Sequence, residues 1–292
     1  MRLARFRAAG GPVRIGRVEL GADGAAEAIV DLSGVAGVGT SMRRLIAELP
    51  ELRPILAEAD GERHPLAEVV LEAPIDDPQK YLAIGMNYKE HAEEARRAGI
   101  PTPANQLWFN KQVSCINGPY GDIERPSVSE QLDYEIELGV VIGRECRHVA
   151  EEDALDAVAG YLVANDVSVR DWLMKRSPTF TLGKSFDTHG PIGPWLTTAD
   201  EIEDPHDLRM VLSVNGEVRQ NWRTDDMIYD IRAQIAELST VMTLMPGDIL
   251  ATGTPAGIGA PTASWLRPGD VVRAEIEGLG RLENRVVDAR RT

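Results

Sequence analysis

The sequence predicts an α+β protein in two parts: a small N-terminal α/β unit over residues 1–72 and a larger, β-rich body over residues 73–292. Three observations carry this expectation. The texture changes at Pro74, where short apolar strands and turns replace a helical stretch. Asn215-Gly216 is a strong two-residue hairpin signal, because both residue types accept a positive φ. Pro-Gly-Asp occurs at 246–248 and again at 268–270, each time just before an apolar strand. Pro followed by Gly suits a type II turn.

The elements follow in order. Val13 to Val18 and Ala28 to Leu32 read as short strands separated by Gly-Ala-Asp-Gly. Ser41 to Ala57 reads as helical, with Leu45, Ile46, Leu49 and Leu52 on one face and Pro50 interrupting or ending its first part. Tyr81 to Gly85 is a short apolar strand. Lys89 to Gly99 is rich in Ala and Glu and reads as a helix, ended by Gly99 and Pro101. Tyr134 to Gly143 is a strand, two carboxylates followed by Leu138, Val140, Val141 and Ile142. Ala150 to Val158 is a short acidic helix, and Gly160 to Val169 a strand. Met210 to Val214 enters the hairpin turn, and Met227 to Leu244 is a helix candidate. Ile249 to Thr252 and Val271 to Ile276 are the strands behind the two Pro-Gly-Asp turns. The strands fold back on one another, with no solenoid period and no low-complexity segment.

Hydrophobic residues make up 43% and charged residues 26%, ordinary globular values. The 31 basic and 46 acidic residues give a net charge of −15. Such a balance repels phosphate backbones and anionic lipid, so neither nucleic acid nor a membrane surface is an expected partner. An anionic substrate here needs a local cation, either a metal or clustered Lys and Arg. Cys115 and Cys146 have no CxxC partner and form no disulfide framework. The charged start Met1 to Arg7 lacks the apolar stretch of a signal peptide, and no run approaches the ~20 apolar residues that span a bilayer. The expected place is the cytoplasm.

The most informative stretch is Asp133-Tyr134-Glu135-Ile136-Glu137. Side chains two apart on a strand share a face, so Glu135 and Glu137 point together. Adjacent carboxylates repel and raise each other's pKa, and a bound hard cation removes that penalty. Asp166 ends the apolar strand Tyr161-Leu162-Val163-Ala164. If the two strands are neighbours, three carboxylates converge. A solvated strand face is the competing reading of Glu-x-Glu, made less natural by the run Leu-Gly-Val-Val-Ile, which looks buried on both faces.

His91 and Glu94 stand three apart on the expected helix and share a face. A carboxylate orienting an imidazole can deprotonate a water, although spacing alone equally fits a polar surface helix. His64, His148 and His206 lie in polar, loop-like contexts, and His189 in Asp187-Thr188-His189-Gly190-Pro191 is ambiguous. The glycine-rich run Gly253 to Gly259 lacks the Gly-Lys-Ser/Thr ending of a phosphate loop, and no Gly-x-Ser-x-Gly elbow occurs. Neither cysteine has an activating neighbour in sequence.

Taken in order, these motifs resemble the fumarylacetoacetate hydrolase family. The match runs from Ile84-Gly85-Met86-Asn87-Tyr88-Lys89-Glu90-His91-Ala92-Glu93-Glu94 through Phe109, Lys111 and Asp133 to Leu138. It continues with Asn165-Asp166-Val167-Ser168-Val169-Arg170-Asp171, Gly183-Lys184-Ser185-Phe186-Asp187 and Pro246 to Pro255. The resemblance implies a mixed β-roll, a homodimer and Mg2+ or Mn2+ as cofactor. It places the metal on Glu135, Glu137 and Asp166, and the water-activating pair at His91 and Glu94. It adds Lys184 as a catalytic cation and Thr254, Arg170 and Tyr88 as substrate contacts.

The implied reaction is hydrolytic cleavage of a carbon–carbon bond in a 2,4-dioxo acid, an acylpyruvate, with pyruvate leaving as its enolate. Lys184 and Thr254 would stabilise the oxyanion, and the metal would act as Lewis acid and template. Decarboxylation of oxaloacetate, or isomerisation of a 2-hydroxy-diene-dioate, uses the same enolate chemistry and is the alternative. A non-catalytic ligand-binding protein is a third reading, disfavoured because His91, Glu94 and Lys184 are all present. One departure stands out: Leu173 occupies the place where many members carry Gln.

Overall fold

A computed structural model describes residues 1–97, 99–176 and 179–289. Ala98 of the expected helix and residues 290–292 of the expected second unit lie outside the described residues. Mixed sheets dominate and helices are few.

The largest sheet has twelve strands. Its centre is the strand Ile136–Ile142, paired antiparallel with Val158–Asn165 on one side and with Ile249–Ala251 on the other. Ile249–Ala251 runs parallel to Tyr81–Gly85, which pairs in turn with Leu107–Lys111. In the other direction the sheet passes through Gly190–Thr198 to Arg2–Ala8. The strands of the first 72 residues therefore continue the sheet of the body rather than forming one of their own. A second sheet of five strands contains the hairpin Arg209–Val214/Glu217–Arg223, whose Asn215-Gly216 turn has both φ values positive.

The central strand is buried along its whole length, as the unbroken apolar run predicts. Leu138, Val140 and Ile142 belong to the core shared with Met210, Leu212 and Ala274 of the second sheet and with Ile235 and Leu238 of the helix Ile231–Val241. Val141 belongs to the opposite core, with Leu45, Ile46, Tyr81, Ala83 and Leu162. Each fully buried aliphatic side chain contributes about 1.5–3 kcal/mol, so both faces hold this strand in place.

Several sequence expectations need correction. The helical stretch Ser41 to Ala57 is two helices, Met42–Ala47 and Leu49–Glu58, because Pro50 starts a new helix in its first turn. The helix candidate Met227 to Leu244 is shorter: Asp230 caps Ile231–Val241 by accepting from the Ala233 N–H at 2.9 Å. The acidic segment Glu151–Ala157 is 3₁₀ rather than α. Both strands that carry the carboxylates are interrupted. The strand expected over Tyr134 to Gly143 is Ile136–Ile142, set off by a break at residues 134–135 from a short strand Leu132–Asp133 before it, and Gly160 to Val169 divides into Val158–Asn165 and Ser168–Val169. Glu135 and Asp166 sit in those breaks. The strand Arg2–Ala8 was not anticipated.

Candidate active site

The two breaks face each other. The Asp166 N–H donates to the Glu135 carbonyl at 2.8 Å, and the Glu135 N–H donates to Asn165 Oδ1 at 3.0 Å. Glu137 follows on the paired strand, opposite Ala164. All three carboxylates are buried, and ligand oxygens of Glu135, Glu137 and Asp166 lie within 4.8 Å of one another. The convergence expected from strand adjacency is present, although a break, not strand alternation, turns Glu135 inward.

Two buried lysines and the partly buried Arg170 meet these acids. Lys184 Nζ bridges Glu135 Oε2 and Asp166 Oδ2, 2.6 Å from each. Lys111 Nζ donates to Asp166 Oδ1 at 2.6 Å and to the Lys184 carbonyl at 2.5 Å. Arg170 donates through Nη2 to Glu135 Oε1 at 2.5 Å and through Nε to Asp133 Oδ2 at 2.8 Å. Burial alone would raise the Glu135 pKa, but Lys184 and Arg170 outweigh it and hold it at about 2. Burial likewise opposes the Lys184 ammonium, yet Asp166 and Glu135 keep its pKa above the ordinary lysine value.

Glu137 differs. Its hydrogen bond comes from the Gly253 N–H at 2.9 Å, where a φ of +99° and the close approach to Asn87 require glycine. Burial, then Asp166 and Glu135, push its pKa well above the carboxylate range. Among the described residues, four buried acids (Asp133, Glu135, Glu137, Asp166) stand against three cations (Lys111, Arg170, Lys184), and Glu137 has no ion pair with any of the three. An all-oxygen set with an uncompensated negative charge fits a hard divalent cation such as Mg2+ or Mn2+.

Glu135 and Glu137 line a cavity of about 510 Å³, together with His91, Glu94, Arg170, Lys184 and Thr254, while Asp166 is fully buried and lies outside its lining. The helix Lys89–Arg97 brings His91 Nδ1 to 3.1 Å from Glu94 Oε2, as the i, i+3 spacing predicts. Thr254 lines the cavity, but its hydroxyl donates to the Ile136 carbonyl at 2.8 Å and accepts from Gln220 Nε2 at 2.9 Å. In this arrangement it holds the floor strand and offers no free donor. Arg170 is similarly committed to Asp133 and Glu135.

Tyr88, expected as a substrate contact, is not among the cavity's lining residues. It is fully buried in the core, and its hydroxyl donates to Met210 Sδ at 3.2 Å. His189 is structural: Nε2 meets the Glu124 carbonyl at 2.8 Å, and burial drives its pKa down to about 3. Both cysteines are free and buried.

Sequence reasoning gave no role to Lys111 or Gln220. Lys111 stood in a matched motif, and its signal was a lysine closing an apolar strand. Gln220 carried no signal, since its contacts to Ile136, Thr254 and Pro255 are all distant in sequence. A second group, Asp31, Glu62 and His64, also brings ligand atoms within 4.8 Å. There Asp31 is already taken by Arg14 at 2.7 Å and by the Ser33 N–H.

The sequence model of the family described as fumarylacetoacetate (FAA) hydrolase C-terminal matches residues 80–287. Human mitochondrial oxaloacetate tautomerase FAHD2A is 41% identical over 257 residues, covering 87% of this chain and 77% of that protein. The maleylpyruvate hydrolase of Sphingobium sp. SYK-6, solved with manganese(II) and pyruvate, has a TM-score of 0.84 at 36% identity, covering 99% of this chain and 100% of its own. The 2-hydroxyhepta-2,4-diene-1,7-dioate isomerase of Mycobacterium marinum has a TM-score of 0.79 at 35% identity, covering 100% of both chains. No helix among the described residues is long and apolar enough to cross a membrane.

Proposed function

Because the chain belongs to the fumarylacetoacetate hydrolase family, we propose that it is a metal-dependent hydrolase cleaving a carbon–carbon bond in a 2,4-dioxo acid. One observation carries this reading: the His91–Glu94 pair, 3.1 Å apart, lines the same cavity as Glu135 and Glu137, whose ligand oxygens lie within 4.8 Å of that of the buried Asp166. Glu135, Glu137 and Asp166 are the residues that would hold Mg2+ or Mn2+. When bound, such an ion supplies Lewis acidity for a 2-oxo carboxylate and for the enolate it becomes.

The chain's own residues do the rest. Glu94 accepts from Nδ1–H of His91, which leaves Nε2 free to take a proton from water. The water oxygen bonds to C4 of the substrate, and Lys184 donates to the developing oxyanion. The C3–C4 bond then breaks and its electron pair stays on C3. The proton held by His91 is delivered there, giving pyruvate and a carboxylic acid. The apolar remainder of the cavity is room for the acyl group. A homodimer in the cytoplasm belongs to the same reading, and light scattering measures the first part.

A second reading is keto–enol tautomerisation of a 2-oxo acid, favoured by the likeness to the human oxaloacetate tautomerase. It uses His91 as proton carrier without water attack; oxaloacetate decarboxylation also omits that attack. The test is to incubate the purified chain with Mn2+ and either acetylpyruvate or oxaloacetate. Release of acetate and pyruvate from acetylpyruvate supports hydrolysis. Enol loss from oxaloacetate with acetylpyruvate left intact would transfer the assignment to the tautomerase, and carbon dioxide release to the decarboxylase.

A further inference from the structure

We propose that the far end of the active-site cavity selects an uncharged, apolar acyl tail and rejects a second carboxylate. This rests on the 2-oxo acid reading of the site and deepens it. The cavity is sharply divided in character. Its cationic lining groups among the described residues are Arg170 and Lys184, with His91 the third titratable nitrogen. Arg170 and Lys184 are each held between two carboxylates, and His91 is paired with Glu94.

Beyond them the wall is Ile100, Leu107, Phe109, Leu173, Phe180 and Ile258. It begins directly beside the reacting end, because Lys184 Nζ lies 5.1 Å from the centre of the Phe109 ring. Phe180 then stands edge-on to Phe109, with ring centres 5.7 Å apart and planes at 85°. Leu173 packs on the Lys184 turn: a Cβ on Gly183 would lie 2.6 Å from Leu173 Cδ2. Leu173 is 6% exposed, so its side chain is part of the packed wall.

A carboxylate pushed against this wall gives up hydration and meets no cationic side chain among the described lining residues beyond Arg170 and Lys184, the costly case for a buried charge. An alkyl tail gains about 3–4-fold in affinity for each methylene removed from water. The relatives named for maleylpyruvate and for a 1,7-dioate act on acids with a second carboxylate. On this point we infer that the present chain parts from them.

The test is calorimetric binding to the Mn2+-loaded full chain of three 2-oxo acids that lack the 4-oxo group and so are not cleaved. These are 2-oxobutanoate, 2-oxooctanoate and 2-oxooctanedioate. The expected order places 2-oxooctanoate at least 30-fold tighter than either of the other two. Leu173→Arg should erase that preference and raise diacid affinity at least tenfold. Equal or tighter binding of the diacid by the unaltered chain, or no binding of any of the three, overturns the proposal. Should Leu173→Arg not fold, the unaltered chain alone decides. Turnover of acetylpyruvate is measured in parallel. Its absence with the tail preference intact sinks only the hydrolase reading, and its presence with a diacid preference sinks only this inference.

Discussion

At the carboxylate end of the cavity, Glu135 and Asp166 are tied by backbone hydrogen bonds between paired strands and by Lys111, Arg170 and Lys184. Away from that floor, His91 rides a nine-residue helix, and Phe180 of the apolar wall occupies a turn position with φ +64°. One region is held by a sheet buried on both faces, the other by local elements and side-chain packing. The difference teaches that binding and selection are separable here. The carboxylate floor belongs to the fold's core and is expensive to disturb, whereas the wall can change with little effect on the sheet.

The largest effect should come from His91→Ala, which removes the proton carrier and leaves the floor intact. Turnover should fall by about 10²–10⁴-fold. The thermal midpoint should move by less than about 2 °C, since the substitution lies outside the core. Activity within threefold of the parent would remove His91 from the chemistry.

Lys111→Met breaks the floor itself. It strips Asp166 of one cation and leaves a buried charge exposed to its acidic neighbours. Unfolding free energy in a urea titration should drop by about 3–5 kcal/mol. A loss below about 1 kcal/mol would mean that Lys111 does not hold Asp166.

Acid should attack the core beneath the floor before the wall. His189 is neutral in the fold, with its pKa lowered by burial to about 3 from 6.5. A depressed folded value gives stability that is complete above pH 6.5 and is lost as pH falls toward 3. Between pH 7 and 5 the loss should be on the order of 2 kcal/mol. A stability curve flat over that interval contradicts the buried, neutral imidazole.

Glu137→Gln should act in the opposite sense and more gently. It removes the unmatched charge yet keeps an acceptor for the Gly253 N–H. The metal-free variant should melt about 2–4 °C higher than its parent, equivalent to roughly 1 kcal/mol in a chain of this size. A lower melting temperature would show that Glu137 is already compensated.

The floor was largely legible in the sequence because short-range patterns specify it. Glu135 and Glu137 introduce an apolar run, Asp166 ends another, and His91 and Glu94 share one helical face. Even there, period-two alternation did not reveal that Glu135 lies in a strand break. That break depends on Asn165 reaching across from the neighbouring strand. Lys111 and Gln220 escaped assignment because their partners lie 34 to 84 residues away, beyond any local period. Tyr88 was misread for the converse reason. It sits in a motif beside the site, but its ring turns into the core toward Met210. The N-terminal strands were expected to stand apart, and only the pairing of Arg2–Ala8 with Gly190–Thr198 shows that they extend the body's sheet.

A cation held jointly by Glu135, Glu137 and Asp166 is the feature on which the proposed chemistry depends. Titration of the metal-free chain with Mn2+, followed by electron paramagnetic resonance, measures it without reference to any reaction. One tight site per chain should be found in the parent and lost in Glu137→Gln, with both proteins folded. No site in the parent, or an unchanged site in the variant, would contradict it.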